Sequence, residues 1–141
     1  IQQKPGVEGQ KVQEIPLPAA SKEVETPFGR FTIKVFPYSG EKILEKKYTK
    51  WFDCDKIKCG LSVRTRKTGD YLIVGRDGGR KKLTRCMIDD KFPKETRDQV
   101  PLIADGGEIL WIIGGRISER YKITSCTRNV LEITYQGGTR L

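Results

Sequence analysis

With 141 residues, 36% of them hydrophobic and 32% charged, the chain has room for one ordinary domain, or a small domain with an appended arm, around an economical core. No apolar run approaches the length of a membrane span, and the opening IQQKPGVEGQ lacks the apolar stretch of a signal peptide, so neither a membrane-bound nor a secreted role is expected. The net charge of +9 is uneven: Lys56 to Arg97 hold thirteen basic residues against five acidic, while the segments before and after nearly balance. Charge gathered in one segment points to a polyanionic partner. The alternative is a solvated surface whose charge serves solubility.

Residues 1–25 begin rich in Gln, Pro and Gly and read as a linker or loosely ordered arm, starting at Ile1 as a piece of a longer chain would. Within it Val12, Ile15 and Leu17 are candidates for an edge strand despite Pro16. Residues 26–55 carry leading strands. In GRFTIKVFPY, Phe31, Ile33 and Val35 share one face and Thr32 and Lys34 the other. SGEKILEKK is a turn and a short segment of ambiguous period, and WFDCD an apolar-led strand. LSVRTRK alternates again: Leu61, Val63 and Thr65 on one side, Ser62, Arg64 and Arg66 on the other, so two arginines project from one face. The turn TGD that follows suits a positive φ at Gly69.

After Gly75 the period changes. GRDGGRKKLTRCMIDD reads as a glycine loop running into a short helix, with Leu83, Cys86 and Met87 on one stripe and Lys81 and Arg85 on another. Pro93 fits the first position of a second short helix, which Pro101 closes. PLIADGGEILWII is a hairpin turning at Gly106-Gly107, and RISERYKIT and NVLEITY supply two further strands. The expected fold is α+β: a mostly antiparallel sheet, or a partly open barrel, with one or two short helices inserted.

Little here can do covalent chemistry. There is no histidine, no nucleophile elbow and no spaced carboxylate cluster, so no catalytic residue is assigned. Asp89-Asp90 closes the predicted helix and is expected to meet Lys or Arg. The lone C-x4-C of Cys54 and Cys59 lacks the spacing of a zinc site; with Cys86 and Cys126 these read as small thiols of a reducing cytosol, and no metal site is assigned. The segment from Gly75 to Leu83 fails as a nucleotide-triphosphate loop, because Arg80 replaces its second glycine and no Ser or Thr follows Lys81.

As a backbone-phosphate site the same segment makes sense. Gly75, Gly78 and Gly79 allow close approach, and Arg80, Lys81 and Lys82 lie beside a helix start. The expected phosphate contacts are Arg64, Arg66, Arg80, Lys81, Lys82, Arg85, Lys91, Lys94 and Arg97. For Arg64 and Arg66, cross-strand ion pairing is the competing role. Trp51, Tyr71, Trp111 and Tyr121 fit packing better than base stacking, which favours a duplex read by shape and backbone.

RTRKTGD (64–70), Gly79 with KKL (81–83), IDDKFPKETRD (88–98) and VPLIADGGEILWIIGGRISERYK (100–122) follow one another in an order that resembles the C-terminal domain of tRNA(Ile)-lysidine synthetases. Thr68 and Thr84 depart from that pattern, standing where proline and lysine are usual. The resemblance implies that residues 56–136 form this domain, with 137–141 a tail. It further implies a bacterial, cytoplasmic ligase that uses ATP and Mg to adenylate a wobble cytidine of an isoleucine tRNA and join lysine to it. The ATP site of the family lies in an N-terminal domain with an SGGxDS-type loop; none occurs here, so the fragment alone is expected to carry no cofactor and no activity. Its expected partners are tRNA, gripped at the body and acceptor stem, and its own N-terminal catalytic domain. The alternatives are a structural or homodimerising domain of the same ligase, and a general RNA-binding module.

Overall fold

Alternating apolar residues build two sheets that share one core. The computed structural model describes residues 14–43, 46–75 and 77–137. Ten strands occur among them: β1 (Glu14–Leu17), β2 (Lys22–Thr26), β3 (Gly29–Pro37), β4 (Thr49–Asp53), β5 (Leu61–Arg64), β6 (Tyr71–Ile73), β7 (Arg80–Lys82), β8 (Leu102–Asp105), β9 (Glu108–Ile112) and β10 (Asn129–Gly137). A seven-residue helix, α1 (Leu83–Asp89), follows β7, and single 3-10 turns lie at Cys54–Lys56 and Lys94–Thr96.

One sheet has six strands in the order β1-β5-β8-β9-β6-β7, and the other four in the order β2-β3-β10-β4. Pairing is antiparallel except where β6 meets β9 at Tyr71 and Glu108. The sheets are open, so the expected antiparallel sheet is observed and the barrel alternative is not.

The six-stranded sheet is the middle layer. Leu61, Val63, Ile103 and Trp111 face the four-stranded sheet, where Phe31, Ile33, Phe52, Leu131 and Ile133 meet them. Its other face packs Leu72, Leu102, Ala104, Ile109 and Ile112 against Leu83, Cys86 and Met87 of α1. A bulge adjusts this division. Ala104 pairs with Ile109 but Ile103 pairs with Trp111, leaving Leu110 as the extra residue. Leu110 and Trp111 thereby enter the same core although adjacent in sequence.

Several expectations hold. Phe31 and Ile33 are buried together with Val35 packed beside them, β8 and β9 turn at Gly106-Gly107, and Gly69 has φ +92°. Others are corrected. The arm expected over residues 1–25 is strand in β1 and β2, and Ile15 and Leu17 do lie on an edge; residues 1–13, with Val12, and 138–141 fall outside the described residues. β2 escapes a periodicity reading because KEVET is an edge strand with one apolar side chain. RISERYKIT is no strand: it folds as successive turns with a single bridge between Ile117 and Trp111. Its Tyr121 instead plugs the core and donates a hydrogen bond to Asp105 at 2.9 Å. The helix read from the glycine loop begins only at Leu83, because Arg80–Lys82 pair with β6.

Candidate nucleic-acid interface

The basic residues predicted as phosphate contacts separate once the strands are placed. Arg64 is the clearest correction. Its side chain is 1% exposed, and its guanidinium forms a fork with the Asp70 carboxylate at 2.8 and 2.9 Å. It also donates to the carbonyls of Thr65 and Gly106, both at 3.1 Å. Period-two alternation puts Arg64 and Arg66 on one face, but β5 ends at Arg64 and the turn after it folds back over that face. No phosphate can reach Arg64.

The glycine loop is corrected too. Gly75, Gly78 and Gly79 form a hairpin turn between β6 and β7, in which Val74 N–H donates to the Gly79 carbonyl at 2.9 Å. Asp77 already fills the loop: its carboxylate accepts the Gly79 N–H at 3.1 Å, and a Cβ at Gly75 would stand 2.5 Å from that oxygen. β7 separates this turn from the start of α1. The Gly78 and Gly79 amides are thus already engaged within the turn, and the turn does not lead directly into a helix end.

On β7, Arg80 lies over the Tyr71 ring at 4.2 Å, while Lys81 pairs with Asp89, and Arg85 approaches the same carboxylate at 4.0 Å. Arg97 donates to the Phe92 carbonyl at 3.0 Å, and Lys91 and Lys94 stand exposed beyond α1, Lys91 with φ +63°. Lys81 and Arg85 thus share Asp89, and none of these six lines the groove formed by Arg66 and Lys82.

Two of the predicted cations do converge. Arg66 and Lys82 line a groove of about 620 Å³ whose one wall is Arg66, Lys67, Thr68, Gly69 and Asp70 and whose other is Lys82, Leu83 and Thr84, with Asp98 beside Arg66. Asp70 ties the walls together. Its carboxylate accepts the Lys67 N–H at 2.7 Å and its carbonyl accepts the Leu83 N–H at 3.0 Å. Arg66 is held by Asp98 at 2.7 Å and Lys67 by Glu14 at 3.0 Å, both on the surface where such pairs exchange readily for another anion. Lys82 is exposed and has no ion-pair partner among the described residues. Lys67 was not among the predicted contacts; its signal was its place in a turn closed by Gly69.

The acidic pair Asp89-Asp90 meets cations as expected. Arg116 donates to Asp90 at 2.8 and 2.6 Å, and those bonds hold the Asp90 carboxyl below the usual range against the opposing effect of partial burial. A depressed carboxylate contributes stability above its unfolded pKa, near 4, and that contribution disappears as pH falls through the folded value. Asp90→Asn should therefore cost under about 1 kcal/mol at neutral pH, since both side chains are partly exposed. The gap in melting temperature between wild type and variant should shrink as pH falls below the unfolded value near 4 and vanish once Asp90 is protonated in the folded state. A gap independent of pH would contradict this linkage.

Residues 61–133 match the family model described as the TilS substrate C-terminal domain. The chain belongs to this family. The matched segment begins at β5 and takes in both walls of the groove, α1 and the β8–β9 hairpin. Similar proteins named tRNA(Ile)-lysidine synthase include one from Clostridium tetani, 47% identical over 90 residues, or 64% of this chain and 19% of that protein. Another, from Caldanaerobacter subterraneus, is 46% identical over 88 residues, covering 62% of this chain and 19% of that protein. The chain thus spans about a fifth of the length of these relatives. A crystal structure of a TilS C-terminal domain superposes with a TM-score of 0.73 at 26% identity, over 92% of this chain and 100% of that one. β1, β2, β3 and β4 all lie before the matched segment, yet their Leu17, Val24, Phe31, Ile33 and Phe52 belong to the same two-sheet core as the TilS-family residues.

Proposed function

We propose that this domain is the tRNA-holding part of a tRNA(Ile)-lysidine synthase, gripping the phosphate backbone of the tRNA body or acceptor stem across the groove between the 66–70 turn and Lys82–Thr84. The observation that carries this reading is convergence. Two segments, 66–70 and 82–84, separated in sequence by β6 and the glycine turn, form facing walls of one groove, and their cations are either without an ion-pair partner among the described residues or held only by surface carboxylates. Threonine hydroxyls at 68 and 84 add neutral donors suited to phosphate oxygens. ATP and Mg chemistry on the wobble cytidine, and the lysine ligation, belong in this reading to the remaining four-fifths of such an enzyme, in the cytoplasm.

The test is a salt titration of tRNA binding. Neutralising each phosphate contributes roughly −0.7 to −0.9 to the slope of log affinity against log salt. Lys67→Ala/Lys82→Ala should reduce the magnitude of that slope by roughly 1.4 to 1.8 and weaken binding to different tRNAs alike. An unchanged slope would remove the groove from the interface. An absence of any tRNA binding, together with a concentration-dependent dimer, would favour the structural role instead.

A further inference from the structure

The β3–β4 connection and β4 hold a second concentration of charge that the overall balance of residues 1–55 conceals. Between Lys42 and Lys50 there are four lysines and one glutamate, offset in the count by acidic residues elsewhere in the first 55. Lys46, Lys47 and Lys50 form no ion pair with any described residue; the Lys47 ammonium lies 5.5 Å from the centre of the Tyr48 ring. Exposed apolar surface gathers here as well. Of the three large hydrophobic side chains strongly exposed among the described residues, two are Ile43 and Tyr48, at 39% and 43%.

Ile43 and Lys50 of this group, together with Trp51, line a cleft of about 440 Å³ whose other lining is Val74, Asp90, the Gly115–Glu119 turn and Lys122. Trp51 is half-buried. Its Nε1 donates to Glu132 at 3.0 Å, and its ring meets Phe36 edge-on at 5.3 Å, so the indole is fixed in place. The two carboxylates of the cleft are engaged, Asp90 by Arg116 and Glu119 by Lys122 at 2.7 Å. The uncompensated charge at the mouth is positive.

We infer that this cleft is a second nucleic-acid site, distinct from the basic groove, which takes one unpaired nucleotide: its base against Trp51 and its flanking phosphates on Lys46, Lys47 and Lys50. The inference rests on the tRNA reading above. A rigid aromatic ring in a cleft of single-nucleotide size, beside unpaired lysines, supplies the stacking surface and backbone charge that single-stranded recognition uses. A duplex hides its base faces and gains nothing from the indole. The sequence favoured packing for Trp51; its neighbours do pack it, but they leave it lining the cleft.

Trp111 is fully buried, so a change in indole emission on binding reports on Trp51. A short single-stranded oligoribonucleotide should quench the emission of the whole chain, and the same sequence as a duplex should not. Trp51→Leu keeps an apolar side chain against Phe36 but has no ring; it should weaken single-strand binding about 5- to 150-fold, with Trp51→Phe recovering part of the loss. Circular dichroism of both variants checks the fold, and Lys47→Ala/Lys50→Ala, which removes no buried apolar side chain, should lower the salt slope for the single strand by about 1.4. Equal affinity of wild type and Trp51→Leu, or no quenching by the single strand, overturns the proposal. So does self-association that shields Trp51 from acrylamide while excluding oligonucleotide, which would give the cleft to a second copy. If tRNA binds with the salt dependence of the basic groove and leaves Trp51 emission unchanged, this inference alone fails; if no nucleic acid binds, the tRNA reading fails with it.

Discussion

Arg64→Met should lower the free energy of unfolding by about 3–5 kcal/mol, the range expected when one member of a buried ion pair is removed. Both side chains of the Arg64–Asp70 pair are almost wholly enclosed, at 1% and 4% exposure. Removing Arg64 strands the Asp70 carboxylate and frees the Thr65 and Gly106 carbonyls from their donor. Asp70→Leu should cost a similar amount by stranding the guanidinium. The double variant Arg64→Met/Asp70→Leu should recover part of the loss, because no buried charge is left stranded, although the Thr65 and Gly106 carbonyls and the Lys67 N–H still lose their partners. Urea melts of the three variants decide the matter. Single changes that each cost less than about 1 kcal/mol would show that the pair does not fasten the 65–70 turn. The pair also bears on function at one remove, since Asp70 holds both walls of the basic groove.

Asp105→Ala should be the next most damaging change, at about 3 kcal/mol. One carboxylate accepts three donors: Cys59 N–H at 2.6 Å, Lys58 N–H at 2.9 Å and the Tyr121 hydroxyl at 2.9 Å. Each donor left without an acceptor costs about 1 kcal/mol or more in a buried setting. Tyr121→Phe removes only one of the three and should cost about 1 kcal/mol. Burial and the adjacent carboxylate together raise the Tyr121 phenol far above its ordinary range, so it remains a donor at any pH at which the domain folds. If Asp105→Ala melts within about 1 kcal/mol of Tyr121→Phe, the two backbone bonds contribute little and the 54–60 connection is held by other contacts.

What the sequence disclosed follows from how local each cause was. β3 and the β8–β9 hairpin were legible because alternation and a Gly-Gly turn act over a few residues. Asp89 was legible as an ion-pair partner because Lys81 and Arg85 lie close to it in the chain, whereas Arg116, which holds Asp90, comes from beyond β9. Arg64 was not, since its burial depends on Asp70 curling back over a face that alternation alone marks as exposed. Lys81 and Arg85 fit a helical stripe, but β6 claims Arg80–Lys82 for a strand, and pairing overrides propensity there. The candidate groove was half legible. RTRKTGD and KKL were both picked out, but only tertiary structure makes them opposite walls. The lysines before β4 were missed because summing charge over 55 residues averages a local cluster away.

The order β2-β3-β10-β4 carries a consequence for how the domain is made. β10 is the strand that both β3 and β4 pair with in the four-stranded sheet, yet every strand of the other sheet except β1 lies between β4 and β10 in the chain. During synthesis, which runs from N- to C-terminus, β2 and β3 can form a hairpin early while β4 has no neighbour to pair with. Leu131 and Ile133 of β10 complete the cover over Phe31, Ile33 and Phe52 that the six-stranded sheet provides from one side. Closing contacts of such long separation is slow and leaves apolar edges open in the meantime. A chain stopped short of Asn129 would lack the strand that both β3 and β4 pair with, leaving the backbone edges of those two strands open.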